Sequence, residues 1–138
     1  MTSRAALAVP TRVRQALVAH ARRDRPAECC GLLLGLGRRV QFAVAMPNTD
    51  PRPTHYRIDD AAHIALRRAL RGWVPRLSVL GVYHSHPAGD ARPSPTDVAQ
   101  AMYPDWVYVI IGLASRQAAV RAFRIRRGRV REVAIRRR

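Results

Sequence analysis

The apolar residues of this chain fall into short runs, and this pattern limits the possible folds more than any other feature of the sequence. The longest runs, residues 29–36 and 106–114, are far shorter than the roughly 20 residues needed to cross a bilayer. Short runs bounded by Gly or Pro are typical of buried strands. With 138 residues, of which 48% are apolar, the chain can bury one sizeable core. Because we find no internal repeat or linker, we expect one domain over residues 1–138.

Segments with helical and strand periodicity alternate along the chain. Residues 11–23 carry apolar side chains at helical spacing, which predicts an amphipathic first helix. A second helix is predicted after a cap at Asp59 or Asp60 and before Gly72, and a short third helix from residue 95 to about residue 102. Strands are predicted at residues 30–36, 39–46, 77–83, 106–112, 118–125 and 129–135, with a brief one at 56–58. The fold class is therefore an α/β mixture of about six strands and three helices.

Two further features point to the cytoplasm. Residues 1–9 lack the longer apolar core of a secretory signal. The only cysteines, Cys29 and Cys30, are adjacent, so they cannot make a disulfide framework. We expect both to be buried, reduced thiols.

The charge is strongly basic, at +16, and all 25 basic residues are Arg. Such a surface attracts acidic partners, including nucleic acid, through salt-sensitive forces. However, no zinc-finger spacing, recognition helix or aromatic RNA-binding pattern accompanies the charge. The absence of Lys is also what a compositional bias of the source genome would produce. Charge alone therefore leaves open whether the partner is nucleic acid or an acidic protein.

The chemistry of the chain is concentrated between His84 and Asp97. His84 and His86 are separated by one residue at the end of a predicted strand, so their imidazoles project from the same face. Asp97 lies in the first turn of the next predicted helix and can fold back toward the strand end. Two His and one carboxylate leave a fourth tetrahedral position for water, which is typical of a catalytic zinc site.

A purely structural interpretation of these residues is also open. Ser94-Pro95-Thr96-Asp97 is a typical helix start, with Ser as N-cap, Pro at the first position and an acid three residues later. Capping alone could explain Asp97, and a single His near a strand end is usually an ordinary polar residue. The remaining histidines have no partner at ligand spacing, so we expect ordinary helix or loop roles for His20, His55 and His63.

These residues together resemble a known family. Glu28 precedes an apolar strand, and His84-Ser85-His86-Pro87 is followed by Ser94 and Asp97. This series is similar to the JAMM metallopeptidases, the catalytically competent class of MPN domains, in order and spacing. Residues 26–35 resemble small stand-alone bacterial members in particular, and nearly the whole chain fits one such domain. The resemblance implies a mixed, curved sheet flanked by helices, similar to that of cytidine deaminases.

The resemblance also implies a role for each of these residues. His84, His86 and Asp97 would bind one zinc ion, Glu28 would be the general base that activates water, and Ser94 would support the oxyanion. Within the family, the substrate is a bond that follows the C-terminal Gly-Gly of a ubiquitin-like protein. The small bacterial members are similar to hydrolases that release cysteine, or another amino acid, from a sulfur-carrier protein. In the adjoining loop, we expect Asn48 and Arg57 to contact substrate.

Three alternatives to this function are open, one within the enzyme class and two in other classes. The same site would serve a peptidase acting on other peptide or isopeptide cross-links, similar to a deubiquitinase or to an enzyme of cell-wall or phage peptides. Some MPN domains are scaffolds without catalysis, although these typically lack a metal-site residue. Finally, the chain could be a basic nucleic-acid-binding module in which the His pair is incidental.

Overall fold

A computed structural model describes residues 6–138, and in this range it contains eight strands and three helices. The predicted absence of a secretory signal concerns residues 1–9, most of which lie outside the described range. In the part of the chain that is described, no helix is both long and apolar enough to cross a membrane. In chain order the elements are β1 (Leu7–Ala8), α1 (Thr11–Asp24), β2 (Cys30–Leu36), β3 (Arg39–Met46), α2 (Asp60–Leu70), β4 (Ser78–His86), α3 (Pro95–Gln100), β5 (Val107–Gly112), β6 (Ala119–Arg126), β7 (Arg129–Val133) and β8 (Ile135–Arg136).

All eight strands form one mixed sheet in the order β7-β6-β5-β4-β2-β3-β1-β8. The pairs β4–β5, β1–β3 and β1–β8 are parallel, and the others are antiparallel. The sheet must be strongly curved, because its two outermost strands are separated in sequence only by Ala134. Seven strand spacings in a flat sheet would instead hold them about 33 Å apart. The predicted curved, mixed sheet is confirmed.

The two faces of the sheet bury different helices. Helix α1 packs on one face, where Val13, Leu17 and Ala21 join Leu33 and Val109 in the larger core cluster. The opposite face carries a second cluster, which is covered by α2, α3 and the loop after β3. Because side chains alternate along a strand, successive residues of β4 belong to different faces. His84 and His86 therefore lie on the α2–α3 face, and Ser85 lies on the α1 face.

The strand count is higher than the predicted six for two reasons. The last predicted strand is broken at Ala134 into β7 and β8, and the two-residue strand β1 pairs with β8 and β3. Neither feature has a periodicity that a sequence pattern could detect. Residues 56–58 do not form a strand, since only an isolated bridge joins Ile58 to Asn48. The third helix ends at Gln100, slightly earlier than predicted.

His20 lies in helix α1, as expected, but the sequence did not predict that it is buried and hydrogen-bonded. Its ring is buried between α1 and the sheet, where Nδ1 lies 2.7 Å from the Tyr83 hydroxyl and Nε2 lies 3.2 Å from Asp24. Burial lowers the pKa of His20 more than Asp24 raises it. The prediction for the cysteines is confirmed, since Cys29 and Cys30 are both free and buried.

Candidate metal centre

Three side chains that the sequence singled out converge on one point. The Nε2 atoms of His84 and His86 are 3.1 Å apart, and they lie 3.2 and 3.0 Å from Oδ2 of Asp97. Ligands of a tetrahedral zinc ion, with bonds of about 2.0–2.1 Å, would be separated by about 3.3 Å. The triangle of atoms therefore has nearly the size that a bound zinc ion requires.

The topology explains why these residues meet. His84 and His86 share a face at the carboxyl end of β4. Because β4 and β5 are parallel, the chain must cross over between them, and this crossover consists of the loop after His86, then α3, and a second loop. Gly112 on β5 lets the crossover lie close, since a Cβ there would be 2.5 Å from the Ala91 nitrogen. The first turn of α3 then brings Asp97 to the His pair.

Asp97 also forms the predicted helix cap. The Ser94 hydroxyl accepts a hydrogen bond from the Asp97 amide at 3.0 Å, and Oδ2 of Asp97 accepts one from the Ser94 amide at 2.9 Å. The structural and the ligand interpretations therefore do not compete, because the cap fixes the carboxylate where it faces the histidines.

The polar atoms around this triangle fit a cation. The Nδ1 of His86 donates to the Asp90 carbonyl at 2.7 Å, which leaves the Nε2 lone pair directed at the centre. That lone pair then faces a carboxylate oxygen of Asp97 at 3.0 Å, and a shared cation would relieve this contact. In the described range, the buried Nδ1 of His84 has no hydrogen-bond partner, so the ring's polar contacts are all made by Nε2. Two imidazoles and one carboxylate form a donor set that suits zinc.

The pKa shifts of His84 and Asp97 favour a metal ligand set, whereas the shift of His86 favours its protonated form in the absence of metal. Burial lowers the pKa of His84, which keeps its ring neutral and able to coordinate. Burial would raise the pKa of Asp97, but hydrogen bonds to His84 and His86 outweigh it and hold this pKa far below its usual range. For His86, burial lowers the pKa, and the contacts with Asp97 and the Asp90 carbonyl raise it by more.

Glu28 lies beside this ligand set, just before β2. Two residues after Glu28, Cys30 of β2 pairs with His84 of β4. The Glu28 side chain is buried, with 6% of the residue exposed, and its carboxylate has no hydrogen bond or ion pair among the described residues. Burial is the main reason that its pKa is raised to about 7; nearby His86 lowers the pKa, and the charges of Asp97 and Asp50 raise it further. A carboxylate with this pKa is poised to exchange protons at neutral pH.

Comparison with known families agrees with this site. A family model described as prokaryotic homologs of the JAB domain matches residues 10–126, most of the chain. The chain belongs to the JAB domain family. The predicted JAMM/MPN resemblance is thus confirmed, and the chain is a hydrolase of this family.

Two relatives of this JAB domain are named as a peptidase and a protease. The CysO-cysteine peptidase of Mycobacterium tuberculosis is 39% identical over 120 residues, which cover 85% of this chain and 81% of the relative. The probable TtuB-protein conjugate cleaving protease of Thermus thermophilus is 38% identical over 130 residues, which cover 94% of this chain and 81% of the relative.

Solved structures show the same fold. The solution structure of a protein from Desulfitobacterium hafniense superposes with a TM-score of 0.84 at 32% identity, covering 94% of this chain and 90% of that one. A JAB1/MPN domain protein from Archaeoglobus fulgidus superposes with a TM-score of 0.60 at 17% identity, and the match covers 94% of this chain and 97% of that one. At that low identity, the second comparison supports the fold of the JAB domain alone.

The two expected substrate contacts of this JAB domain have different surroundings. Arg57 is exposed, pairs with Asp60 at 3.1 Å and lines a cavity of about 350 Å³ whose other walls include Tyr56 and Trp106. Asn48 has no free amide position, because its two donors bind the carbonyls of Glu28 and His55. Its Oδ1 accepts from the Asp50 and Arg57 amides. Asn48 is thus a bonded part of the loop next to Glu28.

Two residues at the site of this JAB domain had not been predicted to take part. The Tyr56 ring stacks on His84 with ring centres 4.3 Å apart, so it lies between the candidate ligand and the cavity lined by Arg57. The buried Ser85 bonds to Cys29, next to Glu28. The position of Ser85 between the two histidines was the only sequence signal for it, and Tyr56 had none, because its loop has no regular pattern.

Proposed function

We propose that this chain is a zinc-dependent hydrolase that cleaves the amide bond after the C-terminal Gly-Gly of a ubiquitin-like sulfur-carrier protein. The released product would be an amino acid such as cysteine. The names of the two relatives support this substrate class, since both describe the removal of a group joined to another molecule. We further propose that residues 1–138 act as one domain and that the enzyme works in the cytoplasm, where its free thiols would stay reduced.

One observation carries the proposal. His84, His86 and Asp97 direct three donor atoms at one point, and the carboxylate of Glu28, which bonds to no other described group, lies beside them. A purely structural site would have no need for a second acid left without a partner. A catalytic site needs both a metal with an open position and a base near it.

In the proposed mechanism each residue has one task. His84, His86 and Asp97 would hold the zinc ion. When bound, zinc supplies a Lewis acid that polarises the scissile carbonyl and lowers the pKa of a coordinated water toward neutrality. Glu28 takes a proton from the attacking water and delivers it to the leaving amine.

The Ser94 hydroxyl completes this set of groups by stabilising the oxyanion. The Ser94 oxygen accepts a hydrogen bond from the Asp97 amide, so the hydroxyl proton of Ser94 is available to a substrate oxygen. A preorganised donor of this kind contributes about 2–4 kcal/mol to the transition state. Ser94 can therefore cap the helix and assist the reaction at the same time.

The cavity behind Tyr56 is a suitable place for part of the substrate. It is lined mainly by aromatic and apolar side chains, with Arg57 and His63 among its polar residues. Pockets of this composition bind apolar groups and use a few polar side chains to orient them. We keep Arg57 as a candidate substrate contact. For Asn48 we propose a different role below.

The direct test offers the enzyme a sulfur-carrier protein that carries cysteine or lysine after its C-terminal Gly-Gly. Mass spectrometry measures the hydrolysis. The native enzyme should release the amino acid, and a chelator should stop the reaction. Glu28→Gln should slow cleavage by roughly 10²–10⁴-fold, the usual contribution of a general base. Glu132→Gln is the matched control, since Glu132 is exposed and paired with Arg121. Equal rates for the native enzyme and Glu28→Gln would contradict the assignment of the base.

The same experiment separates the alternatives. Cleavage of unrelated peptide cross-links, with the carrier conjugate left intact, would favour the peptidase of other substrates. A zinc-free, inactive protein would favour a scaffold. Salt-sensitive binding to random DNA, unchanged in Glu28→Ala and without hydrolysis, would favour the nucleic-acid-binding module.

A further inference from the structure

Glu28 is held through its backbone by two side chains that belong to other parts of the fold. Its carboxylate has no hydrogen-bond partner among the described residues, so no bond of the side chain itself fixes its position. Both polar atoms of the peptide group that joins Glu28 to Cys29 are bonded instead. Ser85 binds the next residue, Cys29, and Asn48 binds the carbonyl of Glu28 itself.

Ser85 links the base to the strand of the metal ligands. The Ser85 hydroxyl accepts a hydrogen bond from the Cys29 amide at 2.9 Å, and the Ser85 amide donates one to the Cys29 carbonyl at 3.1 Å. Both residues are almost fully buried, so water does not compete for these bonds. Because Ser85 lies between His84 and His86, this reciprocal pair ties the residue after Glu28 to the strand that carries both histidines.

Asn48 binds the carbonyl of the same peptide group, opposite the amide that Ser85 binds. One amide hydrogen binds the Glu28 carbonyl at 2.9 Å, and the other binds the His55 carbonyl at 3.1 Å. The side-chain oxygen of Asn48 accepts hydrogen bonds from the backbone amides of Asp50 and Arg57, both at 3.0 Å. The four bonds tie the start of β2 to the loop of residues 48–57, so a shift of that loop would move Glu28.

We propose that Ser85 and Asn48 are positioning residues that together hold Glu28 at the distance from the metal centre that proton transfer requires. The inference rests on the proposed function, because it assigns them an effect on the reaction through Glu28. Catalytic groups lose about 10²-fold in rate when they are misplaced by 1 Å. A side chain that has no hydrogen bond of its own depends on its backbone and on its packing for such precision.

The test measures Ser85→Ala and Asn48→Ala alone and in a Glu28→Gln background. Each single variant should lower kcat about tenfold and change KM less than about twofold, since substrate contacts remain. In the Glu28→Gln background, the same substitutions should cause almost no further loss, because the group that they position no longer acts. Zinc content should equal that of the native protein in every variant.

Two control variants report general loosening of the fold. Thr49→Val removes a hydrogen bond of the same loop, to the Arg57 carbonyl, and Ser78→Ala removes an exposed hydroxyl from β4. Both should keep native kcat. A loss of equal size in both backgrounds, or a fall in zinc content, would overturn the proposal and leave Ser85 and Asn48 with structural roles only.

Amide hydrogen exchange tests the arrangement without substrate. The Cys29 amide should be strongly protected in the native protein and should exchange about tenfold faster or more in Ser85→Ala, since its acceptor is gone. Unchanged exchange would overturn the proposed role of Ser85, whether or not the enzyme cleaves a carrier conjugate. If the native protein cleaves no conjugate, the proposed function fails while this measurement still reports on the bond.

Discussion

Asp97 shows how one residue can satisfy both a structural and a chemical requirement. Its Oδ2 accepts a hydrogen bond from the Ser94 amide of the helix cap. The same oxygen lies 3.2 Å from Nε2 of His84 and 3.0 Å from Nε2 of His86. The sequence pattern could not decide between cap and ligand, because the two roles need the same carboxylate in the same turn. The structure shows that the cap orients the carboxylate toward the candidate ligands.

Glu28 gives a test of electrostatics at the residue scale. Burial raises the pKa of Glu28 to about 7, above the usual value of 4.5 for a glutamate. The folded, metal-free protein therefore holds this proton more tightly than the unfolded chain, and its stability falls as pH rises from about 4.5 through 7. We predict that Glu28→Gln stabilises the metal-free protein at pH 8 by on the order of 2 kcal/mol.

The stabilisation should disappear below about pH 4.5, where native Glu28 is protonated in both states. Urea unfolding of chelator-treated protein at the two pH values measures it. An equal gain from Glu28→Gln at both pH values would show that the buried charge is not the cause.

At the scale of elements, the crossover from β4 to β5 determines the geometry of the site. It carries Asp90, which bonds to His86, and then the helix that carries Asp97. A Cβ at Gly112 would lie 2.5 Å from the Ala91 nitrogen, so Gly112→Ala must push the crossover away from the sheet. We predict a loss of about 1–3 kcal/mol in the free energy of unfolding, together with weaker zinc binding.

Denaturant unfolding and zinc titration of Gly112→Ala check this prediction. Gly72→Ala is the control, because a Cβ there would meet no atom closer than 4.0 Å. Native zinc affinity in Gly112→Ala would show that the crossover tolerates the displacement and does not position the ligands.

The elements also show what could be predicted from sequence. Short runs between turn residues located β2 and β3, and the capping candidates Asp59 and Asp60 located the start of α2, because these signals are local. The strand β1 escaped prediction, since two residues have no measurable periodicity and their pairing is long-range. The spacing of His84 and His86 predicted a shared face, but only the family resemblance brought Glu28 to them. Tyr56 was missed because stacking on His84 depends on the path of an irregular loop.

At the scale of the whole molecule, the excess of arginine should affect encounter with the substrate. The chain has 25 basic and nine acidic residues, so its field favours an acidic carrier protein. We predict that kcat/KM for an acidic carrier conjugate falls about tenfold between low and moderately high salt, because screening weakens long-range attraction. For a short, uncharged Gly-Gly peptide conjugate, the change should be below about twofold. Equal salt dependence for the two substrates, in steady-state kinetics, would assign the arginines no part in substrate encounter.

The zinc content of the purified protein tests the central claim most directly. After equilibration with a slight excess of zinc and removal of the unbound metal, the native chain and Glu28→Gln should each retain about one zinc ion. Variants with Ala at His84, His86 or Asp97 should retain almost none while remaining folded. If these variants keep as much zinc as the native chain, or if the native chain binds none, the three side chains do not form a metal centre.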